Sequence, residues 1–308
     1  MRILDATMRD GGLVNNFEFS DEFARDLYMT NYNSGVSYME FGYRASTEFF
    51  DEKQFGKWKF CKEEDIAKII QDLPKLKISV MIDIGRCDWE NDFCEKSKSV
   101  VDLVRIAAYP YQISEAIHIA NYLCGLGYET AINLMAVSTI SLSELEDIAI
   151  TIGHTSYVDY FYIVDSYGAL RPNEIQERIS VAALSNKMIG IHTHNNQQLA
   201  YANTLAAMDK NVAIMDATYS GMGRGAGNCP MELITAKTPH VWKFIEKHMM
   251  DLAKDYHWGY HPAYAITGKD NKHPKTAIAF IKEKRTDLES FFKSTVGFWI
   301  SNVVRWIN

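Results

Sequence analysis

Short runs of β-branched and aromatic residues recur along the chain, each followed by a stretch whose apolar positions fall three or four residues apart. The pattern predicts strands at Arg2–Ala6, Val36–Gly42, Lys77–Ile84, Asp102–Ala107, Tyr128–Ala136, Val158–Val164, Lys187–His192 and Asn211–Thr218. Their starts lie 24 to 41 residues apart, the length of a strand, a crossover helix and two loops, since such a unit needs about 30 residues. The intervening helices carry their own signals. Ser20-Asp-Glu-Phe is a capping sequence, Lys62-Glu-Glu-Asp-Ile-Ala-Lys-Ile-Ile opens a second helix, and Ser114–Leu123 and Ser141–Ile152 are amphipathic. Eight such units in about 245 residues match a (β/α)8 TIM barrel; an open doubly wound sheet is the architectural alternative.

A barrel places its chemistry at the C-terminal ends of the strands, and polar residues collect there. Asp10 follows the first strand, Tyr43 and Arg44 the second, and Asp83 and Arg86 end the third. Arg105 lies in the fourth, Asp165 and Ser166 end the sixth, His192 and His194 the seventh, and a glycine run follows the eighth. Residues 249–308 differ in character: an aromatic-rich stretch, a turn-like Thr267-Gly-Lys-Asp-Asn-Lys-His273, then two helical patterns. The chain therefore divides into a barrel over residues 1–248 and a mainly helical C-terminal extension over 249–308. The last pattern (Phe292, Val296, Trp299, Ile300, Val303, Val304, Ile307) is expected to pack on the barrel or on a second subunit of a homodimer.

Composition narrows the function classes. Of 308 residues, 47% are hydrophobic and 23% charged, which excludes disordered and low-complexity classes. A net charge of −7 argues against a nucleic-acid-backbone binder. No apolar run reaches the ~18 residues of a membrane span, and the charged first ten residues do not read as a signal peptide. Five cysteines without a C-x-x-C pair fit a reducing cytosol and a cytoplasmic protein.

His192-Thr-His194 is the strongest chemical signal, because residues two apart on a strand share a face and both imidazoles reach one ion. Two histidines with a carboxylate leave coordination positions open, as a catalytic metal requires. Asp10 is the candidate third ligand, one strand removed around a closed barrel. Arg9 beside it suits stabilisation of negative charge developing on oxygen; an Arg9–Asp10 ion pair closing the barrel mouth is the structural alternative. The run Gly221-Met-Gly-Arg-Gly225-Ala-Gly-Asn228 follows the last strand, where barrel enzymes hold anionic groups. Gly225 and Asn228 are its expected substrate contacts. Arg44 is expected to hold a substrate carboxylate or phosphate, with a surface ion pair as the alternative. Asp165 and Ser166 are expected to touch substrate, or Asp165 to fix a neighbouring loop.

The segments Asp5-x-Thr-x-Arg9-Asp10-Gly11, His192-x-His194-Asn195 and Gly221-Met-Gly-x-Gly-Ala-Gly-Asn228-x-Pro-x-Glu232 resemble the DRE-TIM metallolyase superfamily of HMG-CoA lyase-like barrels. Over about residues 3–235 they are most similar to its 4-hydroxy-2-oxovalerate aldolase branch. The resemblance implies a divalent metal, commonly Mn2+, held by Asp10, His192 and His194, with Asn228 added in some branches. Mg2+, Co2+ and Zn2+ also suit these ligands. It implies that Arg9 stabilises an enolate of a 2-oxo acid such as pyruvate, which adds to an aldehyde or is released when a 4-hydroxy-2-oxo acid is cleaved. Two departures stand out. The branch carries a histidine three residues after the ligand aspartate, and here that position is Leu13, so the general base is expected to be a metal-bound water, Tyr43, or a tail residue such as Tyr260 or His261. Gly11 replaces the glutamate of the naming motif, which leans away from the alternative of a Claisen-type acyl-CoA synthase or lyase. A barrel without catalysis, serving as a binding subunit, is the remaining alternative. The altered base position leaves sugar-derived aldehydes among the acceptors.

Overall fold

The computed structural model describes residues 1–235 and 238–296. Eight parallel strands close into a barrel in sequence order: β1 (Arg2–Asp5), β2 (Tyr38–Tyr43), β3 (Lys77–Asp83), β4 (Leu103–Ala108), β5 (Glu129–Leu134), β6 (Tyr160–Asp165), β7 (Met188–Thr193) and β8 (Ile214–Ala217). β8 pairs with β1 over Arg2–Asp5 and closes the ring. This is the (β/α)8 fold expected from the spacing, and every strand lies within a few residues of its predicted range.

Seven helices separate the strands: α1 (Thr7–Asn15), α2 (Asp21–Asn33), α3 (Glu63–Ile70), α4 (Ile113–Gly125), α5 (Leu142–Gly153), α6 (Pro172–Ala182) and α7 (Ala200–Met208). The capping signals act as read. The Ser20 hydroxyl accepts from the Phe23 amide at 3.1 Å. Ser141 and Glu144 form a reciprocal box, in which each side chain accepts from the other's backbone amide. One local difference concerns the first strand. It ends at Asp5 and the chain turns at once into α1, so Arg9 and Asp10 sit on a helix and not on a strand end.

Alternation along the strands divides the barrel interior into two storeys. The lower one is mostly apolar and aromatic: Leu4, Tyr38, Leu103, Ala131, Tyr160, Tyr162 and Ile214. Two residues further along the same faces come Glu40, Arg105 and Asp216, all buried. Gly190 of β7 gives the room for this arrangement, because a Cβ there would lie 2.6 Å from the Tyr162 ring. The outer faces of the strands form the main core against the helices.

Beyond β8 the chain packs back on the barrel. Phe244 meets Phe23 of α2 edge-on at 5.3 Å. Helices Pro262–Lys269, Lys275–Lys282 and Leu288–Val296 share a small core of Ala263, Tyr264, Ala277, Phe280 and Phe291 with Ala226 of the loop after β8. The extension thus roofs the C-terminal end of the barrel. Trp299 to Ile307 of the last sequence pattern lie outside the described residues. Among the described residues no helix is long and apolar enough to cross a membrane.

Lys59, in the loop after β2, is buried within an aromatic box, its ammonium 3.9 Å from the Phe50 ring centroid and 4.5 Å from that of Tyr43. Burial lowers its pKa to about 8, with Arg86 adding to the effect and Asp83 opposing it. An unfolded lysine binds its proton up to ~10.4, so between these values the unfolded chain holds more protons and Lys59 contributes stability that rises with pH. The expected outcome is that Lys59→Met gains most over the parent protein below pH 8, and that this advantage shrinks by pH 10, read by denaturant unfolding. A difference independent of pH would contradict the burial argument.

Candidate metal centre and active site

Asp10 on α1, His192 at the end of β7 and His194 just beyond it converge, with one potential ligand atom from each all within 4.8 Å of one another. Nε2 of His192 and Nε2 of His194 each lie 3.9 Å from Asp10 Oδ2. That is less than two metal–ligand bonds of about 2.1 Å laid end to end. The imidazole planes cross at 80°. Gly223 permits the closeness, because a Cβ there would lie 2.7 Å from Asp10 Oδ2 and 2.2 Å from Asn228 Nδ2.

The proton positions suit a cation. Asp216 Oδ2 lies 2.9 Å from His192 Nδ1, so Nδ1–H donates to the carboxylate and the ring is held with Nε2 toward Asp10. That Nε2 is buried without a hydrogen-bond partner. His194 is held well below its ordinary pKa by burial, with Arg224, His192 and Arg9 adding to the effect against the pull of Asp10, so it remains neutral. Burial opposes ionisation of Asp10, but the Arg9 guanidinium, with Arg224 adding to it, more than offsets this and holds the carboxyl well below the usual carboxylate range. A buried imidazole nitrogen without a partner beside an ionised carboxylate is what a divalent ion satisfies.

Beneath this cluster runs a buried chain of charge. Arg9 Nε donates to Glu40 Oε2 at 2.8 Å and its NH1 to Asp10 Oδ1 at 3.1 Å. Arg105 joins Glu40 at 2.8 Å to Asp216 at 2.5 Å, and its guanidinium lies 4.2 Å from the Tyr162 ring centroid. Three carboxylates and two guanidiniums thus alternate from Asp10 to Asp216, and the line ends on His192. Burying carboxylates is costly, and a cation held by Asp10, His192 and His194 would offset part of that cost.

The cluster forms one wall of a cavity of about 410 Å³, also lined by Leu13, Tyr43, Asp83, Arg86, Tyr109, Tyr111, Asn133, Ser166, Arg224 and His273. Of the polar residues singled out by sequence, Arg9, Asp10, Tyr43, Asp83, Arg86, Ser166, His192 and His194 line it. Asn228 stands behind the ligands, its Nδ2 donating to Asp10 and its Oδ1 without a partner. Burial and nearby Asp83 raise the Tyr43 phenol, which stays protonated.

Three expectations are corrected. Arg44 does not line the cavity: it donates to the carbonyls of Asp92 and Cys61 and pairs with Glu63 at 2.9 Å, 4.7 Å from the Phe93 ring centroid. Its role is the ion pair, made locally before the side chain can reach inward. Asp165 is fully buried and accepts from the amides of Ala169 and Leu170, so it shapes the loop before α6 and touches no cavity surface. Gly225 also stays off the cavity wall, with Tyr264 3.5 Å from where its Cβ would be. In the tail, His261 Nδ1 caps a helix by accepting from Ala263, and Tyr260 is exposed. His273 is the tail residue that reaches the cavity, from a turn with no periodicity to single it out. Burial, with Arg224 and Lys275, lowers its pKa to about 4. Arg224 was also missed, although it is the one charged residue inside the glycine run.

The HMGL-like family profile matches residues 1–249. A 4-hydroxy-2-oxovalerate aldolase of Bacillus cereus (strain ATCC 10987 / NRS 248) is 28% identical over 263 residues, covering 83% of this chain and 75% of that protein. One from Pelotomaculum thermopropionicum is 30% identical over 242 residues, covering 77% and 69%. Among solved structures, the N-terminal domain of a Bacteroides vulgatus protein provisionally assigned as an aldolase superposes with a TM-score of 0.79 at 25% identity, covering 96% of this chain and 100% of that one.

The charge chain makes a direct prediction. Arg105→Met leaves Glu40 and Asp216 facing each other across a buried space, and removing one partner of a buried ion pair costs about 3–5 kcal/mol. Denaturant unfolding should show a loss of that size; a loss under about 1 kcal/mol would mean that the carboxylates are not held charged.

Proposed function

Because the chain belongs to the HMGL-like family and is a carbon–carbon lyase, we propose that it is a divalent-metal-dependent aldolase joining, or releasing, the enolate of a 2-oxo acid such as pyruvate and an aldehyde. Mn2+ is the expected ion, with Asp10, His192 and His194 as its ligands. The reading rests on one observation: a carboxylate and two imidazoles meet within 4.8 Å of one another at the end of a buried chain of charged side chains. The Asn228 amide, turned over, offers its oxygen to the same ion; the two amide orientations differ only in their hydrogen bonding.

A bound divalent ion would act as a Lewis acid on the keto and carboxylate oxygens of the 2-oxo acid and ease proton loss from the adjacent carbon. The other roles fall to this chain's residues. Arg9 is gripped by Glu40 and Asp10, which aims its remaining donor at the cavity to stabilise negative charge on the keto oxygen. Tyr43 carries its proton at neutral pH and is placed to give it to the oxygen derived from the aldehyde. The Ser166 hydroxyl accepts from the Ala136 amide, which leaves its own proton directed elsewhere, and Ser166 lines the cavity. Leu13 puts an apolar surface where an imidazole would otherwise stand.

The test is exchange of the pyruvate methyl protons in D2O, followed by NMR, with metal content measured on the same samples. The parent protein should hold about one divalent ion per chain and catalyse exchange. The double variant His192→Ala/His194→Ala should lose both. Full metal-dependent exchange in that variant would overturn the assignment.

A further inference from the structure

Four buried or half-buried arginines stand at or near the barrel mouth, and one of them differs from the rest. Arg9, Arg44 and Arg105 each grip a carboxylate. Arg224 does not, among the described residues. Its NH2 donates to the Ser166 carbonyl at 2.9 Å and lies 3.5 Å from His194 Nε2; its NH1 lies 3.1 Å from His273 Nε2; its Nε is buried with no partner. The loop that carries it is locked. Gly225 and Gly227 have φ of +68° and +81°, and Gly227 passes so close to the Gly221 carbonyl that a Cβ would fall 2.0 Å from it. The guanidinium is therefore held in place on the cavity wall with no carboxylate at ion-pair distance among the described residues.

Its position assigns it to one end of the substrate. Arg9 and the metal ligands make up the inner wall, where the charge of a 2-oxo acid would be met. Arg224 points to the roof, where the C-terminal extension is pinned by Asn271 donating to the Ser138 carbonyl and Gln197 donating to the Gly268 carbonyl. Tyr167 holds His273 edge-on at 5.6 Å. Asp83 and Arg86 stand on the far wall, with Lys59 near Asp83.

We propose that Arg224, seated against His273, is a specificity-determining subsite for an oxyanion carried by the aldehyde, a carboxylate or a phosphate. This rests on the aldolase reading. Neutral short-chain aldehydes would leave a desolvated guanidinium unpaired, and a site built around a charged partner discriminates strongly against substrates that lack it.

The experiment compares kcat/KM for matched aldehydes with pyruvate as donor: succinic semialdehyde against butyraldehyde, and glyceraldehyde 3-phosphate against glyceraldehyde. The parent protein should prefer the charged member of at least one pair, and which pair separates carboxylate from phosphate. Arg224→Met should lower that preference by about tenfold or more, the value of one charge-assisted contact, and Arg224→Lys should restore part of it. An unchanged preference overturns the proposal. So does a rise in pyruvate KM for methyl exchange matching the loss toward the charged aldehyde, since Arg224 would then hold the donor. Calorimetric titration of the metal-free protein with succinic semialdehyde and with inorganic phosphate reads the subsite without turnover. Binding of at least one should weaken about tenfold in Arg224→Met, and equal binding of both probes by the two proteins overturns the subsite. If the parent protein catalyses neither exchange nor addition, the aldolase reading fails by itself and the calorimetry decides the subsite.

Discussion

The site depends on a buried line of charge that begins at Asp10 and ends at His192. Arg9 holds Asp10 and Glu40, Arg105 spans Glu40 and Asp216, and Asp216 fixes the His192 tautomer. Five elements place its six members: α1 carries Arg9 and Asp10, and β2, β4, β8 and β7 carry one each. Burial makes the line expensive to break and rigid once made. The unpartnered Nε2 of His192, 3.9 Å from Asp10 Oδ2, is the feature that turns a structural network into a candidate cation site. The apolar lower storey of the barrel supplies the stability that lets the upper storey carry such a cost.

The roof contributes differently. The extension closes the cavity through a few hydrogen bonds and the small core around Tyr264 and Phe280, and among its described residues His273 alone lines the cavity. A barrel mouth walled by Tyr43, Tyr109 and Tyr111 but roofed by an added segment combines a fixed reaction centre with an adaptable acceptor end. Barrels in general vary their chemistry through the loops at this end while keeping the strands constant.

Much of this was legible in the sequence because it is periodic or local. Strand spacing gives the barrel, Ser20 and Ser141 mark helix starts, and His192 and His194 share a face by their separation alone. What escaped was non-local. Arg44 looked inward from its place after β2, yet Glu63 and two loop carbonyls lie nearer, and no pattern encodes that competition. Asp165 was likewise captured by amides four and five residues on. The pairing of Arg224 with His273 joins positions 49 apart through the docking of the extension. The helical turn carrying Arg9 and Asp10 was obscured by its two glycines, which weaken a helix but are needed there: a Cβ on Gly12 would strike the Phe17 ring.

Anomalous diffraction at the manganese edge, from crystals grown with Mn2+, tests the cation site most directly. One peak bonded to a carboxylate oxygen of Asp10 and to Nε2 of both His192 and His194, at about 2.0–2.2 Å, is the expected result. Absence of a peak at saturating Mn2+, or a peak held by other side chains while His192 still donates to Asp216, would contradict it.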